Sequence, residues 1–349
     1  MTLPGETGMP PAIELADGFS ARTPWTAASA VLATLGIVLI AIGVAAGLGT
    51  VVFYASDHIW PRVADAPTRH LSHFNAMAAM VALQSVIVGL VWLLASWFGG
   101  QRREVLSLTR PVTRRLFLYG LAGMVLLLAP YNLASYALWP DEFTRDLRPF
   151  SELARSPGAW LAGLVVSIGA PFSEELLFRG FLLPALALAT PQTFVAIALI
   201  CLIAQMLMPV VGPLLVHVAV STFPAGPAVF GLNLALLIVA GLVAARQARL
   251  ADAAAPAAAG NADVAAAGQV GPLAFMLAAM FSTTAWTLMH VGYSLTGLAE
   301  VFMIGLYFCW LMWRTGNLWL TISLHAFYNG MQFLVLMLVP LPAPLPIPA

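Results

Sequence analysis

Long apolar runs constrain this chain's fold more than any other feature, because a bilayer core of about 30 Å takes roughly 20 consecutive apolar residues in helical form. Runs of that kind cover about 27–55, 72–98, 115–138, 159–188, 193–220, 227–245, 273–293, 297–313 and 317–339. The expected fold class is an all-α polytopic membrane protein. About nine transmembrane helices are expected, within a range of eight to ten, with any chemistry carried by groups inside the helix bundle. Composition supports this: 61% of the 349 residues are hydrophobic and only 9% charged, against roughly 25% charged in soluble domains.

Charge sets the orientation and removes one class of function. The fifteen basic residues are all arginine and balance fifteen acids, so no basic surface exists for nucleic acid. Short cytoplasmic loops carry the excess of arginine and lysine. Between the second and third runs lie Arg102, Arg103, Arg110, Arg114 and Arg115 against Glu104 alone, which marks that loop as cytoplasmic. Counting helices from it puts the mixed-charge segment 139–158 outside as a loop and Arg246, Arg249 and Arg314 inside. The amino terminus is then cytoplasmic, and an arginine-only, alanine-rich composition suggests a bacterial cytoplasmic (inner) membrane.

Between and beyond the runs, residues 1–24 are polar and lack the basic and apolar regions of a signal peptide, so they read as a flexible cytoplasmic tail. Residues 25–140 hold the amino-terminal transmembrane helices. Segment 246–271 is rich in Ala, Gly, Asp and Asn and reads as a flexible linker. The Pro-spaced tail 341–349 cannot continue a helix. Cys201 and Cys309 sit in apolar runs and read as small hydrophobes, with no disulfide framework.

An ionisable side chain at the bilayer centre costs at least about 2.5–3.5 kcal/mol, so each one is a candidate functional residue. The candidates are Glu174, Glu175, Arg179, His217, His290, Glu300 and His325, with Asn329 one turn beyond the last. Glu175 and Arg179 stand at i and i+4, where an ion pair forms on one helix face. Glu174 is turned about 100° away. It is left facing the bundle interior, where desolvation makes a carboxylate a stronger base, suited to general base work. The plainer alternative is that both glutamates only staple helices together. Trp286 and His290 repeat the i, i+4 spacing, so the indole can fix the imidazole, although a lone histidine on an apolar helix is more often a satisfied core residue. His325 and Asn329 repeat it again and offer a donor pair suited to an oxyanion. The alternative for Asn329 is an interhelical hydrogen bond worth about 0.6 kcal/mol. Counted from helix ends at 188, 273 and 317 at about 1.5 Å per residue, Glu174 lies about 21 Å deep, His290 about 26 Å and His325 about 12 Å. Straight, equally placed helices keep these residues apart.

The motifs EELLFR (174–179), WTLMH (286–290) and HAFYN (325–329), the last preceded by RTGN, resemble the CPBP intramembrane glutamic endopeptidases, which include the CAAX prenyl proteases and the Abi bacteriocin-immunity proteins. The resemblance covers about 150–190 and 271–335. It implies a protease core over 141–340, with an inserted two-helix segment and linker at about 190–271. It further implies that Glu174 and His290 activate a water, and that His325 and Asn329 stabilise the oxyanion of peptide-bond hydrolysis. Glu175, Arg179 and Trp286 would support the site. Trp286 stands where the family usually has phenylalanine. No cofactor and no metal are implied, and the partners would be a peptide or membrane-protein substrate and membrane lipid.

His217 competes with His290 for the second motif, since it lies nearer Glu174 in sequence. Pro213 precedes it by four residues, where the motif wants an aromatic, and this favours His290. A transporter or non-catalytic scaffold using the same Glu and His residues is the rival reading, and it does not require a His and Asn donor pair. A metalloenzyme is disfavoured by the lack of HExxH and by Leu177 and Phe178 standing three residues after Glu174 and Glu175.

Overall fold

The computed structural model describes residues 23–59, 67–97, 102–156, 158–190, 192–197, 270–290, 292–339 and 341, with backbone alone at 52–59 and 67–75. Among these residues there are helices and no strands. They are α1 (Ala27–Ile59), α2 (Pro67–Trp97), α3 (Arg102–Val105), α4 (Arg114–Leu138), α5 (Pro140–Ala154), α6 (Ala159–Ala187), α7 (Pro272–Leu288), α8 (Leu295–Thr315) and α9 (Leu318–Leu338). Six of them are long and apolar enough to cross a membrane, and α7 is a shorter apolar helix. The protein is an all-α polytopic membrane protein. Of the runs at 193–220 and 227–245, only 193–197 is described, within a helical stretch at 192–197; the rest, with the linker up to 269, the first 22 residues, Cys201 and His217, lies outside the described residues.

Segment 139–158, expected as a loop, is mostly the helix α5. Its apolar residues Phe143, Leu147, Phe150 and Ala154 recur at i, i+4, i+7 and i+11, one amphipathic stripe. Leu147, Phe150 and Ala154 of that stripe pack with Met77, Ala162, Phe333 and Leu336 in a small cluster, while Phe143 stands edge-on to Tyr136 at 5.7 Å. Pro140 opens the helix and Asp141 and Glu142 fill its first turn, both favourable at a helix start. Two acids of α5 also cap its neighbour: Asp146 accepts the Ser294 backbone N–H at 2.9 Å and the Ser294 hydroxyl, and Glu142, already in the first turn, accepts from Thr296 Oγ1 at 3.1 Å. Two carboxylates thus meet the positive end of α8.

α6 is the axis of the bundle and is not a uniform α-helix. Two stretches, Val165–Gly169 and Leu176–Leu182, are wound as π-helix, and prolines follow each at Pro171 and Pro184. In the first, Ala170 N–H bonds Val165 O, so the Val166 carbonyl would next pair with residue 171, which is proline and has no N–H. Asn329 on α9 fills the vacancy, its Nδ2 donating to Val166 O at 3.1 Å. Gln84 on α2 adds a second amide to Val165 O at 3.3 Å.

Register explains how residues at unequal nominal depth meet. α7 runs antiparallel to α6, with Ser282 Oγ donating to Phe178 O at 2.8 Å. α9 also runs antiparallel to α6: a Cβ on Gly180 would come within 2.8 Å of Leu318 Cδ2, and one on Gly163 within 3.2 Å of Phe333. α9 therefore begins level with Gly180 and not with the end of α6, so Glu174 and His325 are each six or seven residues beyond that level. The expected mismatch of depths is removed by this recessed start. The recess is held by the segment before α4. Leu318 N–H bonds Ser107 O at 3.1 Å, Trp319 Nε1 bonds Leu108 O at 3.0 Å, Asn317 Nδ2 bonds Pro111 O at 3.2 Å and Arg110 Nη1 bonds Thr315 O at 2.7 Å. Gly316, at φ 56°, makes the left-handed stop that turns α8 into α9. The arginines around 102–115 and Arg314 thus share one end of the bundle.

Candidate active site

Glu175 and Arg179, both with fully buried side chains, form the foundation, with Arg179 Nη1 3.1 Å from Glu175 Oε1. The guanidinium carbon lies 4.3 Å from the Trp286 ring centroid and 5.8 Å from that of Phe308, so aromatic faces carry part of the work of accommodating the buried cation. Gly305 makes room for this. A Cβ there would stand 2.6 Å from Thr283 Cγ2, 2.9 Å from Arg179 Nη2 and 2.9 Å from Trp286 Cε3.

Glu175 has a second partner, which the helical wheel of α6 alone does not reveal. Its Oε1 is 3.1 Å from His325 Nδ1. A carboxylate bonded to Arg179 accepts from that nitrogen, so Nδ1 carries the proton. The other ring nitrogen, Nε2, faces Glu174 Oε2 at 4.0 Å. Glu174 in turn accepts from Trp286 Nε1 at 2.6 Å, and its side chain retains 17% exposure where Glu175 has none. Its other oxygen, Oε1, has no hydrogen-bond partner among the described residues. Glu174 borders a cavity of about 210 Å³ whose walls include Ala45, Ala79, Leu83, Ile87 and Met289. A carboxylate at an apolar cavity wall, held by one oxygen and open at the other, is placed to take a proton from a bound molecule.

Of the residues singled out from the sequence, Glu174, Glu175, Arg179, Trp286 and His325 come together directly. His290 and Asn329 do not touch Glu174. His290 ends α7, its Nδ1 3.1 Å from Trp286 O and its ring edge-on to Trp286 at 5.3 Å. The carbonyl accepts only, so Nδ1 holds the proton and Nε2 keeps its lone pair. Asn329 commits one amide hydrogen to Val166 O, the interhelical bond that stood as the alternative to a donor role. Glu300 belongs to another network, accepting from the Tyr328 hydroxyl, which itself accepts from Gln332 Nε2 at 2.6 Å. Among the described residues no three His, Cys, Asp or Glu side chains converge as a metal site requires.

Sequence reasoning missed Gln84, Gly305 and Tyr293. A single amide in the apolar run VALQSVIV was a visible signal for Gln84. Nothing local marks Gly305, whose neighbours Arg179, Thr283 and Trp286 belong to two other helices, α6 and α7. Tyr293 follows His290 by three residues, and its ring stands edge-on to the imidazole at 5.5 Å.

A family model described as type II CAAX prenyl endopeptidase Rce1-like matches residues 156–258 and 264–331. The match runs from the start of α6 through most of α9 and includes all three motifs. No curated protein and no solved structure matches the chain.

Proposed function

Because the chain belongs to the Rce1-like family of type II CAAX prenyl endopeptidases, we propose that it hydrolyses a peptide bond of a membrane-associated or lipidated protein or peptide within the membrane. The observation that carries this is the Glu174 carboxylate, anchored by Trp286 at 2.6 Å, faced by His325 at 4.0 Å and open to a cavity. In the proposed reaction Glu174, assisted by the free Nε2 of His290, takes a proton from water. The hydroxide oxygen adds to the peptide carbonyl carbon. The remaining amide hydrogen of Asn329 donates to the carbonyl oxygen as it becomes an oxyanion, joined by His325 Nε2–H when that ring carries a hydrogen on both nitrogens, since Nδ1 already gives its own to Glu175. Glu174 then returns the proton to the amide nitrogen, the C–N bond breaks, and an acid and an amine leave. General base catalysis contributes about 10²–10⁴-fold, and each oxyanion donor about 10²–10³-fold. No step draws on a metal.

A cavity of about 210 Å³ exceeds the roughly 150 Å³ that holds a benzene molecule in an engineered apolar core. It suits one large apolar side chain of a substrate lying against Glu174. The inferred location is a bacterial inner membrane with the arginine-bearing end of the bundle in the cytoplasm.

The test is purification in detergent and incubation with a mixed library of membrane-derived and lipidated peptides, with cleavage read by mass spectrometry. Glu174→Gln is the control. Products formed by the parent and absent with Glu174→Gln support the proposal. Equal product formation by both refutes the assignment of the base, and the absence of any cleavage returns the protein to the scaffold or proton-relay alternative.

A further inference from the structure

The hydroxyl of Tyr293 is the feature nearest the candidate site that the proposed reaction does not use. Tyr293 lies in the turn between α7 and α8, its N–H bonded to His290 O at 3.0 Å. Phe150 of α5 stands edge-on to its ring at 6.3 Å, and His290 at 5.5 Å. Trp286, His290 and Tyr293 therefore follow one another edge to face, from the indole that holds Glu174 to the phenol. The ring is wedged between two elements, yet its hydroxyl has no hydrogen-bond partner among the described residues. Tyr293 is only partly buried, so that hydroxyl is left free to donate to a bound molecule.

Electrostatics keep that hydroxyl a donor. Burial pushes its pKa up, and the negative charges of Glu174, then Asp146, then Glu300 push it further. Glu174 has the largest effect of the three carboxylates, and the geometric link of the phenol to the site is its ring contact with His290 at 5.5 Å. A phenol that remains protonated at every working pH cannot serve as a base, and it donates one hydrogen bond. The oxyanion has need of such a donor. His325 Nε2 is one only when its ring is protonated on both nitrogens, because Nδ1 gives its hydrogen to Glu175, and Asn329 has already given one of its two amide hydrogens to the carbonyl orphaned by Pro171.

Resting on the endopeptidase reading, we propose that Tyr293 is a further catalytic residue, whose hydroxyl donates to the substrate's carbonyl oxygen as the hydroxide oxygen adds to the carbonyl carbon. No proton is transferred by the phenol. Its O–H bond stays intact while negative charge grows on the oxygen it faces and is lost again when the C–N bond breaks.

The test compares the parent, Tyr293→Phe and Glu174→Gln, each as the full chain purified in detergent, on a peptide that the parent cleaves. Phenylalanine keeps the ring and its edge contacts with His290 and Phe150 and removes only the unpartnered oxygen. The expected result is a kcat lower by about 10²-fold, as for loss of one oxyanion donor, with KM within about 2-fold and an unchanged unfolding temperature. The acid limb of the kcat profile, set by the base, stays where it is in the parent. A kcat within about 3-fold of the parent overturns the proposal. So does a fall in kcat accompanied by a lowered unfolding temperature, since the hydroxyl would then be structural. Tyr293→Trp, which restores an N–H donor on an aromatic frame, should recover more activity than Tyr293→Leu; equal activities for the two would also count against a donor role. Failure of the endopeptidase reading is distinct from all of these, because parent and Glu174→Gln would then behave alike.

Discussion

Replacing each carboxylate of the pair by its amide separates a structural glutamate from a chemical one. In Glu175→Gln the side chain keeps its size and an acceptor oxygen, so the hydrogen bond from His325 Nδ1 can persist; what goes is the negative charge 3.1 Å from Arg179 Nη1. Both partners are wholly buried, so solvent screening offers no relief. Two unit charges about 4 Å apart interact by about 4 kcal/mol at an effective dielectric of about 20, and removal of one member of a buried pair typically costs about 3–5 kcal/mol. The cation–π contact with Trp286 at 4.3 Å remains and is worth up to about 2 kcal/mol when desolvated, which keeps the expected loss near the lower end, about 3 kcal/mol. Glu174→Gln differs. Its amide oxygen still accepts from Trp286 Nε1, no charge partner is orphaned, and the stability change should stay below about 1 kcal/mol, while activity falls by at least about 10²-fold. The assay is thermal unfolding of both variants in one detergent, paired with cleavage of one peptide. Equal destabilisation of both variants, or an undiminished unfolding temperature in Glu175→Gln, would refute the division of labour.

Gly305→Ala drives a methyl group to within 2.6–2.9 Å of Thr283, Arg179 and Trp286, and it should cost about 1–3 kcal/mol by overpacking, read by thermal unfolding. His290→Ala should abolish cleavage while His217→Ala leaves a substantial fraction of it, on one substrate with folding verified; the reverse outcome would move the second motif to His217. Dialysis against a strong chelator should leave cleavage intact, and finding one tightly held zinc per chain, with activity lost on its removal, would instead make the protein a metalloenzyme.

Much of the architecture is legible in the sequence, because length and apolarity decide whether a segment can live in a bilayer. Seven of the nine apolar runs correspond to described helices within a few residues. The arginines that lie between α2 and α4 share an end of the bundle with Arg314, through Arg110 Nη1 on Thr315 O at 2.7 Å. The three motifs are readable too, since i, i+4 spacing alone places Glu175 with Arg179, Trp286 with His290, and His325 with Asn329 on common faces. α5 was also within reach: its stripe of Phe143, Leu147, Phe150 and Ala154 has helical period, but its charges pass for a loop when only span-length apolarity is sought.

What only the tertiary structure decided is alignment along the bundle axis and the choice of partners across it. Depth counted along single helices separates Glu174 from His325, whereas the recessed start of α9, pinned by Ser107, Leu108 and Pro111, brings His325 Nε2 to 4.0 Å from Glu174. A periodicity along one helix carries no information about the axial offset of its neighbour; that offset is set by loop-to-helix hydrogen bonds between residues about 200 positions apart in the chain, such as Arg110 with Thr315 and Trp319 with Leu108. The same reason governs Asn329. Its sequence position makes it a free donor one turn from His325, but winding of α6 in π form before Pro171 leaves Val166 O without a partner, and in a medium without water that carbonyl claims the nearest amide.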